Sequence, residues 1–95
     1  MVVSLIIDMD FKPQKHVLSS ELGDSIILLD IDKGEYYELK GTSVLIWHEL
    51  ESGKSSDQII EKLSMDFQDT SEIKRDVQEF ITDLLRRGLL VEVEN

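Results

Sequence analysis

The stretch SIILLDIDKGEYYEL, residues 25–39, decides the fold of this chain. Residues 25–31 are rich in isoleucine and leucine, which predicts a strand that is buried on both faces. Residues 32–34 predict a tight loop, because Gly34 accepts the positive φ that such a loop requires. Residues 35–39 then return as the next strand, with two adjacent tyrosines on opposite sides of the sheet.

The segments before this hairpin predict one more strand and an N-terminal arm. Residues 16–19 are a short candidate strand, and residues 21–24 have the composition of a turn. Residues 2–7 are mostly apolar, and acidic residues and the single proline follow them. We therefore expect an arm or edge strand over residues 1–12 and one domain over residues 13–95.

The second half of the chain has the 3.6-residue apolar period of helices. Thr42 or Ser43 is expected to cap the first of three helices, and Gly53 and Gly88 are expected to end the first and the third. Residues 89–93 predict a short last strand. The fold class is therefore α+β, similar to a winged helix-turn-helix, with a three-stranded antiparallel sheet, three helices and a C-terminal strand. The expected inward positions are Val44, Leu45, Trp47 and Leu50, then Ile59, Ile60, Leu63 and Phe67, then Ile73, Val77, Phe80, Ile81, Leu84 and Leu85.

The composition excludes several kinds of chemistry. The chain has 95 residues, no cysteine and a net charge of −10, so cysteine-ligated metal sites and thiol nucleophiles are excluded. A surface this acidic repels phosphate backbones and anionic lipid, which disfavours binding to nucleic acid or to a membrane. His16 and His48 lie in different elements, and phosphate-cradling and nucleophile-elbow motifs are absent from the sequence. We therefore expect a cytoplasmic protein that is not an enzyme and holds no metal or cofactor.

Two sets of spaced residues resemble the PqqD-like family. The first set resembles the family's LD-x-x-x-G-x-YY-x-L…IW pattern, and the second resembles its D-V-x-x-F-x-x-x-L-x-x-x-G-L-L ending. The resemblance covers residues 14–93. Lys40 and Ser43 stand where the family often has Asn and Gly, so the entry into the first helix departs from the pattern. The two sets are Leu29-Asp30, Gly34, Tyr36-Tyr37, Leu39 and Ile46-Trp47, and Asp76-Val77, Phe80, Leu84 and Gly88-Leu89-Leu90.

The resemblance implies a RiPP recognition element, a small non-catalytic domain that binds the leader segment of a ribosomally made precursor peptide. In this family the leader adds as an antiparallel strand to the edge of the third strand, and its side chains fill a groove beside the third helix. The domain presents the precursor to a processing enzyme, which is a leader peptidase in lasso-peptide pathways and a radical-SAM enzyme in quinone-cofactor biosynthesis. We favour the lasso pathway, because only a short arm precedes the family core and such domains are often free-standing proteins there.

The resemblance and the helical period together suggest the binding residues. The expected docking edge is Glu35, Tyr36, Tyr37, Glu38 and Leu39. Stepping 100° per residue spreads the apolar positions of the third helix over roughly 140°. One shoulder of this arc carries Asp76, Phe80, Asp83 and Arg87, and the other carries Lys74, Ile81 and Leu85; the angles leave both open. We favour the first shoulder, so the expected groove residues are Asp76, Phe80, Asp83, Leu84 and Arg87.

A backbone probe follows from this assignment. A proline at position 37 is expected to weaken peptide binding on the condition that the Tyr37 N–H pairs with the leader. The bland alternatives are that the tyrosines are ordinary strand aromatics and that the charges of the third helix form a solvated face. Trp47 lies on an apolar helix face, where core packing is the favoured interpretation.

Two other classes of protein compete with this interpretation. Winged-helix regulators present a basic recognition helix to DNA, but residues 70–87 carry four basic and four acidic residues. DNA binding is therefore disfavoured, and retention on heparin would distinguish the two classes. Gly23-Asp24-Ser25 resembles the attachment motif of an acyl carrier protein. That motif opens a helix, whereas Ser25 here leads into the apolar run of a strand.

Overall fold

The computed structural model describes residues 10–66 and 70–93. Within these ranges the chain forms five strands and three helices in the order β-β-β-β-α-α-α-β. The predicted α+β class, with its antiparallel sheet, three helices and terminal strand, is confirmed. No helix of these ranges is long and apolar enough to span a bilayer. The strands are β1 (Asp10–Pro13), β2 (Val17–Leu22), β3 (Ser25–Asp30), β4 (Glu35–Leu39) and β5 (Leu90–Val93), and the helices are α1 (Thr42–Glu51), α2 (Ser56–Asp66) and α3 (Thr70–Arg86).

β3 is the centre of a three-stranded antiparallel sheet whose two edges are β2 and β4. On one face Ile26, Leu28 and Asp30 are buried, and the two apolar residues join the core cluster formed with the helices. On the other face Ile27 and Leu29 are only half buried. The expectation of a strand buried on both faces is therefore wrong. An antiparallel sheet commonly packs one face on the core and leaves the other open to solvent.

The open face of this sheet carries a row of apolar side chains. Leu18, Leu29 and Tyr36 are register partners on adjacent strands, and Leu18 and Tyr36 are 53% and 70% exposed. Tyr37 lies on the opposite face, where it packs against the core cluster. The prediction that the two tyrosines lie on opposite sides of the sheet is confirmed.

The turn between β2 and β3 is shorter than the sequence suggests. β2 continues to Leu22, because the turn needs only Gly23 and Asp24. Gly23 has a φ of +61°, which suits the first position of a two-residue hairpin loop. Ser25 begins a strand rather than a helix, which removes the acyl-carrier interpretation.

The loop between β3 and β4 is closed by Asp30. Its carbonyl accepts a hydrogen bond from the Gly34 N–H at 2.7 Å, and its Oδ1 accepts one from the Lys33 N–H at 3.1 Å. Gly34 has the positive φ that the sequence predicts, +68°. The loop also includes Ile31, one residue more than predicted. Oδ2 of the buried Asp30 lies 3.8 Å from Nε2 of His16.

A second, two-stranded sheet joins the two ends of the described chain. β1 pairs with β5 in antiparallel register, from Asp10 opposite Val93 to Pro13 opposite Leu90, and Phe11 of β1 is buried in the core. The sequence predicts an arm or edge strand over residues 1–12, but acidic residues and the proline follow the apolar stretch there and nothing in the pattern indicates this pairing. Residues 1–9 lie outside the described ranges, so the N-terminal arm and the division at residue 12 stay predictions.

α1 begins without a side-chain cap. Its N-cap is Gly41, with a φ of +62°, a conformation that glycine adopts at little cost. The Ser43 hydroxyl donates to the Lys40 carbonyl at 2.7 Å and accepts from the Lys40 N–H at 3.1 Å. The prediction of Thr42 or Ser43 as the cap is therefore wrong, although Ser43 does fix the entry into the helix.

The start of α2 and the end of α3 each have a regular capping motif. Ser55 and Gln58 exchange side-chain hydrogen bonds with each other's N–H at the start of α2, which is a capping box. At the end of α3 the Gly88 N–H bonds to Leu85 O and the Leu89 N–H to Leu84 O, at 3.1 and 2.9 Å. This pair of bonds is a Schellman motif, and Gly88 has the positive φ that it needs.

The buried faces of the helices follow the predicted period, with one local difference in α1. There Leu45 is 43% exposed, whereas Ile46 is buried. Trp47 is buried as expected. Phe67 lies outside the described residues. The other predicted inward positions are buried at Leu50, Ile59, Leu63, Ile73, Val77, Ile81 and Leu84, and partly buried at Val44, Ile60, Phe80 and Leu85.

An ion-pair network ties α1 to α2 through Glu49. Its Oε1 lies 2.9 Å from Lys54 Nζ and its Oε2 lies 2.8 Å from Lys62 Nζ, and the Glu49 side chain is only 15% exposed. The hydrogen bond from Lys62, followed by that from Lys54, holds the pKa of Glu49 below its ordinary value. A carboxylate with a lowered pKa stabilises the fold above its unfolded pKa, and that stabilisation is lost as the pH falls through the folded pKa.

We predict that Glu49→Gln lowers the free energy of unfolding at pH 7 by about 0.5–1 kcal/mol. The difference from the parent protein should shrink as the pH is lowered past the ordinary glutamate pKa of 4.5. Urea unfolding at a series of pH values measures this. Glu61→Gln, which removes an exposed carboxylate of α2, is the matched control and should change stability little. A Glu49→Gln effect that is the same at neutral and at acid pH would contradict the prediction.

Candidate functional site

β4 is an edge strand: it pairs with β3 and with no other strand of the described residues. An edge strand presents unpaired N–H and C=O groups to any extended chain that comes alongside. Which residues of β4 supply those groups depends on its register with β3.

The register determines the direction of every backbone group in the sheet. In a central antiparallel strand, successive residues bond alternately to one neighbour and to the other. The two-residue turn makes Leu22 and Ser25 a hydrogen-bonded pair, so the odd-numbered residues of β3 bond to β2. The Ile31 N–H continues this series, because it donates to the His16 carbonyl at 2.9 Å. The even-numbered residues of β3 therefore bond to β4.

It follows that Tyr36 and Glu38 point their backbone N–H and C=O groups away from β3, towards the open edge; we call these the outward groups of β4. Tyr37 is the register partner of Leu28, an even-numbered residue, so its N–H and C=O point into the sheet. The proline prediction for position 37 required that the Tyr37 N–H be free to pair with a peptide, and this condition is not met. A proline there removes a hydrogen bond between β3 and β4 instead of a free edge donor.

A groove runs between this edge and α3. The part next to β4 has a volume of about 380 Å³. It is lined by β4, by the C-terminal half of α3 and by Leu89. It combines aromatic and aliphatic surface with the charged side chains of Asp83 and Arg87. Its lining residues are Tyr36, Tyr37, Glu38, Leu39, Phe80, Asp83, Leu84, Arg87 and Leu89.

A second depression, of about 360 Å³, continues the groove past the end of β4. Phe80 and Asp83 line both depressions, so the two form one continuous groove along α3. The second depression is the more polar of the two. Its other lining residues are Lys40, Thr42, Ser43, Ile46, Asp76 and Glu79.

Side chains from β4 and α3 meet at the end of the groove that lies beside the C-terminus of α3. The Tyr37 hydroxyl donates to Glu35 Oε1 at 2.7 Å, and the Arg87 guanidinium lies 5.2 Å from the centre of the Tyr37 ring. Arg87 Nε donates to Asp83 Oδ2 at 2.9 Å. The hydrogen bond to Glu35 is the largest cause of a raised pKa for the Tyr37 hydroxyl. The hydrogen bond to Asp83 likewise raises the pKa of Arg87, so Arg87 is cationic at any physiological pH.

The structure brings together nearly all residues that the sequence analysis proposes for the site. All of them except Glu35 line the groove, and Glu35 orients the Tyr37 hydroxyl. The shoulder of α3 with Asp76 and Phe80 faces β4. On the other shoulder Ile81 is buried and Lys74 is exposed, and neither lines the groove.

Five residues at the polar end of the groove were not predicted from the sequence. Glu79 lies three positions after Asp76 on the same shoulder, so helical spacing could have identified it. Lys40, Thr42, Ser43 and Ile46 lie near the start of α1, and only the tertiary packing of α1 beside α3 brings them to the groove. Within residues 10–66 and 70–93 there is no group of three or more histidine and acidic side chains placed to hold a metal ion.

These features define a small α+β domain with an open strand edge beside a helix-lined groove. The chain belongs to the PqqD family: the family model for coenzyme PQQ synthesis protein D matches residues 25–90. No curated protein matches the sequence.

Two solved structures share the fold. TbiB1 in complex with the TbiA(beta) leader peptide is 27% identical in sequence, with a TM-score of 0.80 over 88% of this chain and 99% of that chain. Lasso peptide synthetase B1 complexed with the leader peptide is 24% identical, with a TM-score of 0.79 over 86% of this chain and 98% of that one. The likeness therefore extends over nearly the whole of both relatives.

The hydrogen bond between Tyr37 and Glu35 can be tested by titration. The chain has two tyrosines, so a Tyr36→Phe background leaves Tyr37 as the single phenol. In that background we expect Glu35→Gln to lower the pKa of Tyr37 towards its ordinary value of 10.0, measured by tyrosinate absorbance against pH. Glu38→Gln removes the same charge from β4 without touching the hydroxyl, so it is the control. An equal pKa in the Glu35 and Glu38 variants would contradict the assigned contact.

Proposed function

We propose that this protein is a non-catalytic recognition element that binds the leader segment of a ribosomally synthesised precursor peptide. The observation that carries the proposal is the free edge of β4 beside the α3 groove. It occurs in a fold whose 27% identical relative has been solved with a leader peptide bound. A strand edge and an adjacent groove are the two parts that β-augmentation requires.

In this mechanism the leader lies antiparallel to β4 as an added strand of the sheet. The outward N–H and C=O groups of Tyr36 and Glu38 pair with the leader backbone, which gives affinity with little demand on sequence. The leader's side chains alternate in direction, so every second one enters the groove. Phe80 and Leu84 offer apolar surface there for anchor residues, and Arg87 and Asp83 offer polar partners.

The contents of the groove support a non-catalytic role. Ser43 supplies a hydroxyl at the groove, but that hydroxyl is engaged with the Lys40 backbone. Neither histidine, the residue type that most often acts as a catalytic base, lines the groove. The chemistry on the precursor is therefore assigned to a partner enzyme.

We assign this partner to the class of leader peptidases in lasso-peptide maturation. The two structural relatives support this choice, since one is a lasso peptide synthetase component and both were solved with leader peptides. The description of the family model, coenzyme PQQ synthesis, supports the second candidate, a radical-SAM enzyme of quinone-cofactor biosynthesis. Both candidates use the same recognition step.

Fluorescence anisotropy tests the recognition step directly. The labelled probes are the TbiA(beta) leader peptide, a quinone-pathway precursor peptide, a scrambled leader and a DNA duplex. We expect saturable binding of a leader or precursor and none of the scrambled peptide or the duplex. Equal binding of leader and scrambled peptide would overturn the proposal, and binding of the duplex alone would favour a DNA-binding protein.

The outward backbone groups predict which proline substitution affects binding. Glu38→Pro removes an outward N–H and keeps the sheet, because proline is tolerated on the solvent side of an edge strand. We expect leader affinity to fall by roughly tenfold, which corresponds to the loss of one good hydrogen bond, with little change in thermal stability. The measurement is anisotropy together with thermal unfolding.

Two variants control this experiment. Glu38→Ala removes the same side chain but keeps the N–H, so it should bind the leader nearly as well as the parent protein. Tyr37→Pro should instead lower the free energy of unfolding, because the Tyr37 N–H bonds to β3. Unchanged leader affinity in a folded Glu38→Pro protein would contradict the assignment of the docking edge.

A further inference from the structure

The two ends of the groove differ in charge. The end beside the middle of β4 is largely apolar, with Phe80, Leu84 and Leu89 in its wall. The end beyond Leu39 contains the carboxylates of Asp76, Glu79 and Asp83 and a single cation, Lys40. A ligand that fills the whole groove therefore meets an apolar surface at one end and an excess of negative charge at the other.

The lysine and arginine side chains of the described residues do not pair with all of the negative charge at this end of the groove. Asp83 is engaged by Arg87 at 2.9 Å, and Lys40 lies 3.9 Å from Glu38. Asp76 and Glu79 have no side-chain hydrogen bond or ion pair with any described residue. Two uncompensated carboxylates thus border a cavity of about 360 Å³ that opens directly onto the proposed peptide path.

The direction of the elements orders these two ends along a bound peptide. Asp76 and Glu79 lie near the C-terminal end of β4, whereas Arg87 lies over Tyr37 further back along the strand. α3 therefore runs antiparallel to β4. A peptide strand antiparallel to β4 runs in the same direction as α3, so its N-terminal part passes the acidic end first.

The length of α3 gives the spacing. Asp76 and Leu84 are eight positions apart on the helix, which is about 12 Å at 1.5 Å per residue. An extended peptide covers that distance in about four residues at roughly 3.3 Å each. Four is also an even number, which keeps both side chains on the same face of the added strand.

We propose that the leader recognised by this protein carries a lysine or arginine about four residues N-terminal to its apolar anchor, and that Asp76 and Glu79 bind this cation. The proposal rests on the proposed function and specifies the ligand for the same groove. Charge-assisted hydrogen bonds to a carboxylate are among the stronger polar contacts. The net charge of −10 also attracts a basic peptide before contact.

A peptide-display library of twelve random residues tests this without knowledge of the natural precursor. Selection on the parent protein should enrich sequences with Lys or Arg about four positions before an aliphatic or aromatic residue. Selection on the Asp76→Asn/Glu79→Gln double variant should enrich the apolar residue alone. Glu61→Gln/Glu92→Gln lowers the net negative charge equally, away from the groove, and should keep the basic preference.

The selection distinguishes a failure of the peptide-recognition proposal from a failure of the cation-site proposal. No enriched peptide on the parent protein would count against peptide recognition itself. Enrichment of apolar residues without a basic one, or the same basic preference on the groove double variant, would overturn only the cation site. A basic residue enriched on the C-terminal side of the anchor would overturn the antiparallel direction.

A selected peptide then gives a quantitative check. Replacing its basic residue by Gln should weaken binding to the parent protein roughly fivefold at low salt, as expected for one or two partly exposed ion pairs. The same replacement should have little effect on binding to the groove double variant, because the partners are absent. The difference should shrink at high salt. A replacement that costs the same in both proteins would contradict the contact.

Discussion

The register between β3 and β4 is the constraint on which the rest of this structure depends. It is set at the corner where the buried Asp30 accepts hydrogen bonds from the backbone of Lys33 and Gly34. Gly34 adopts a positive φ there because it has no Cβ. A slip of one residue would turn every side chain of β4 to the other face. Leu39 would leave the core, Tyr36 would enter it, and the outward backbone groups would pass from Tyr36 and Glu38 to their neighbours. The corner thus determines both the core and the docking edge.

The same corner also helps to hold the opposite wall of the groove. Lys33 Nζ donates to the Arg87 carbonyl at 3.2 Å, which satisfies a backbone oxygen at the end of α3. Arg87 in turn lies over the Tyr37 ring and binds Asp83. Beyond this point the Schellman turn at Gly88 directs the chain into β5, which is held by β1. Two sets of contacts therefore fix the distance between β4 and α3. At the C-terminal end of α3 these are the contacts of Arg87 with Lys33 and Tyr37, and along the floor of the groove they are the contacts of the shared core. The two walls of the groove are therefore held apart by contacts within the protein itself.

The sequence predicts local features of this protein well and non-local ones poorly. The bounds of β4, the apolar period of α3 and the turn glycines depend on short-range patterns, and the structure has them as predicted. The pairing of β1 with β5 joins residues that are far apart in the chain, so no local pattern around Asp10 or Pro13 indicates it. The sequence leaves open which residues of β4 point their N–H groups outward, because that direction depends on register and not on composition. Lys40 and Ser43 were missed for a related reason: only the packing of α1 beside α3 makes them part of the groove.

In the proposed recognition, the backbone of β4 and the side chains of the groove have different roles. The backbone of β4 can pair with almost any extended peptide, since main-chain groups are the same in every residue, and the fold that presents it is kept in relatives with about a quarter of the sequence in common. In the proposed recognition, the choice among precursors must therefore come from side chains that line the groove, and six of the lining residues lie on α3 or directly after it. The charged lining residues of α3 can change without disturbing the core, because the buried positions of α3, including Val77, Ile81 and Leu84, lie on a different part of its circumference. One fold can host several functions, and in the proposed recognition the groove residues that contact the peptide are the part of this fold that distinguishes one ligand from another.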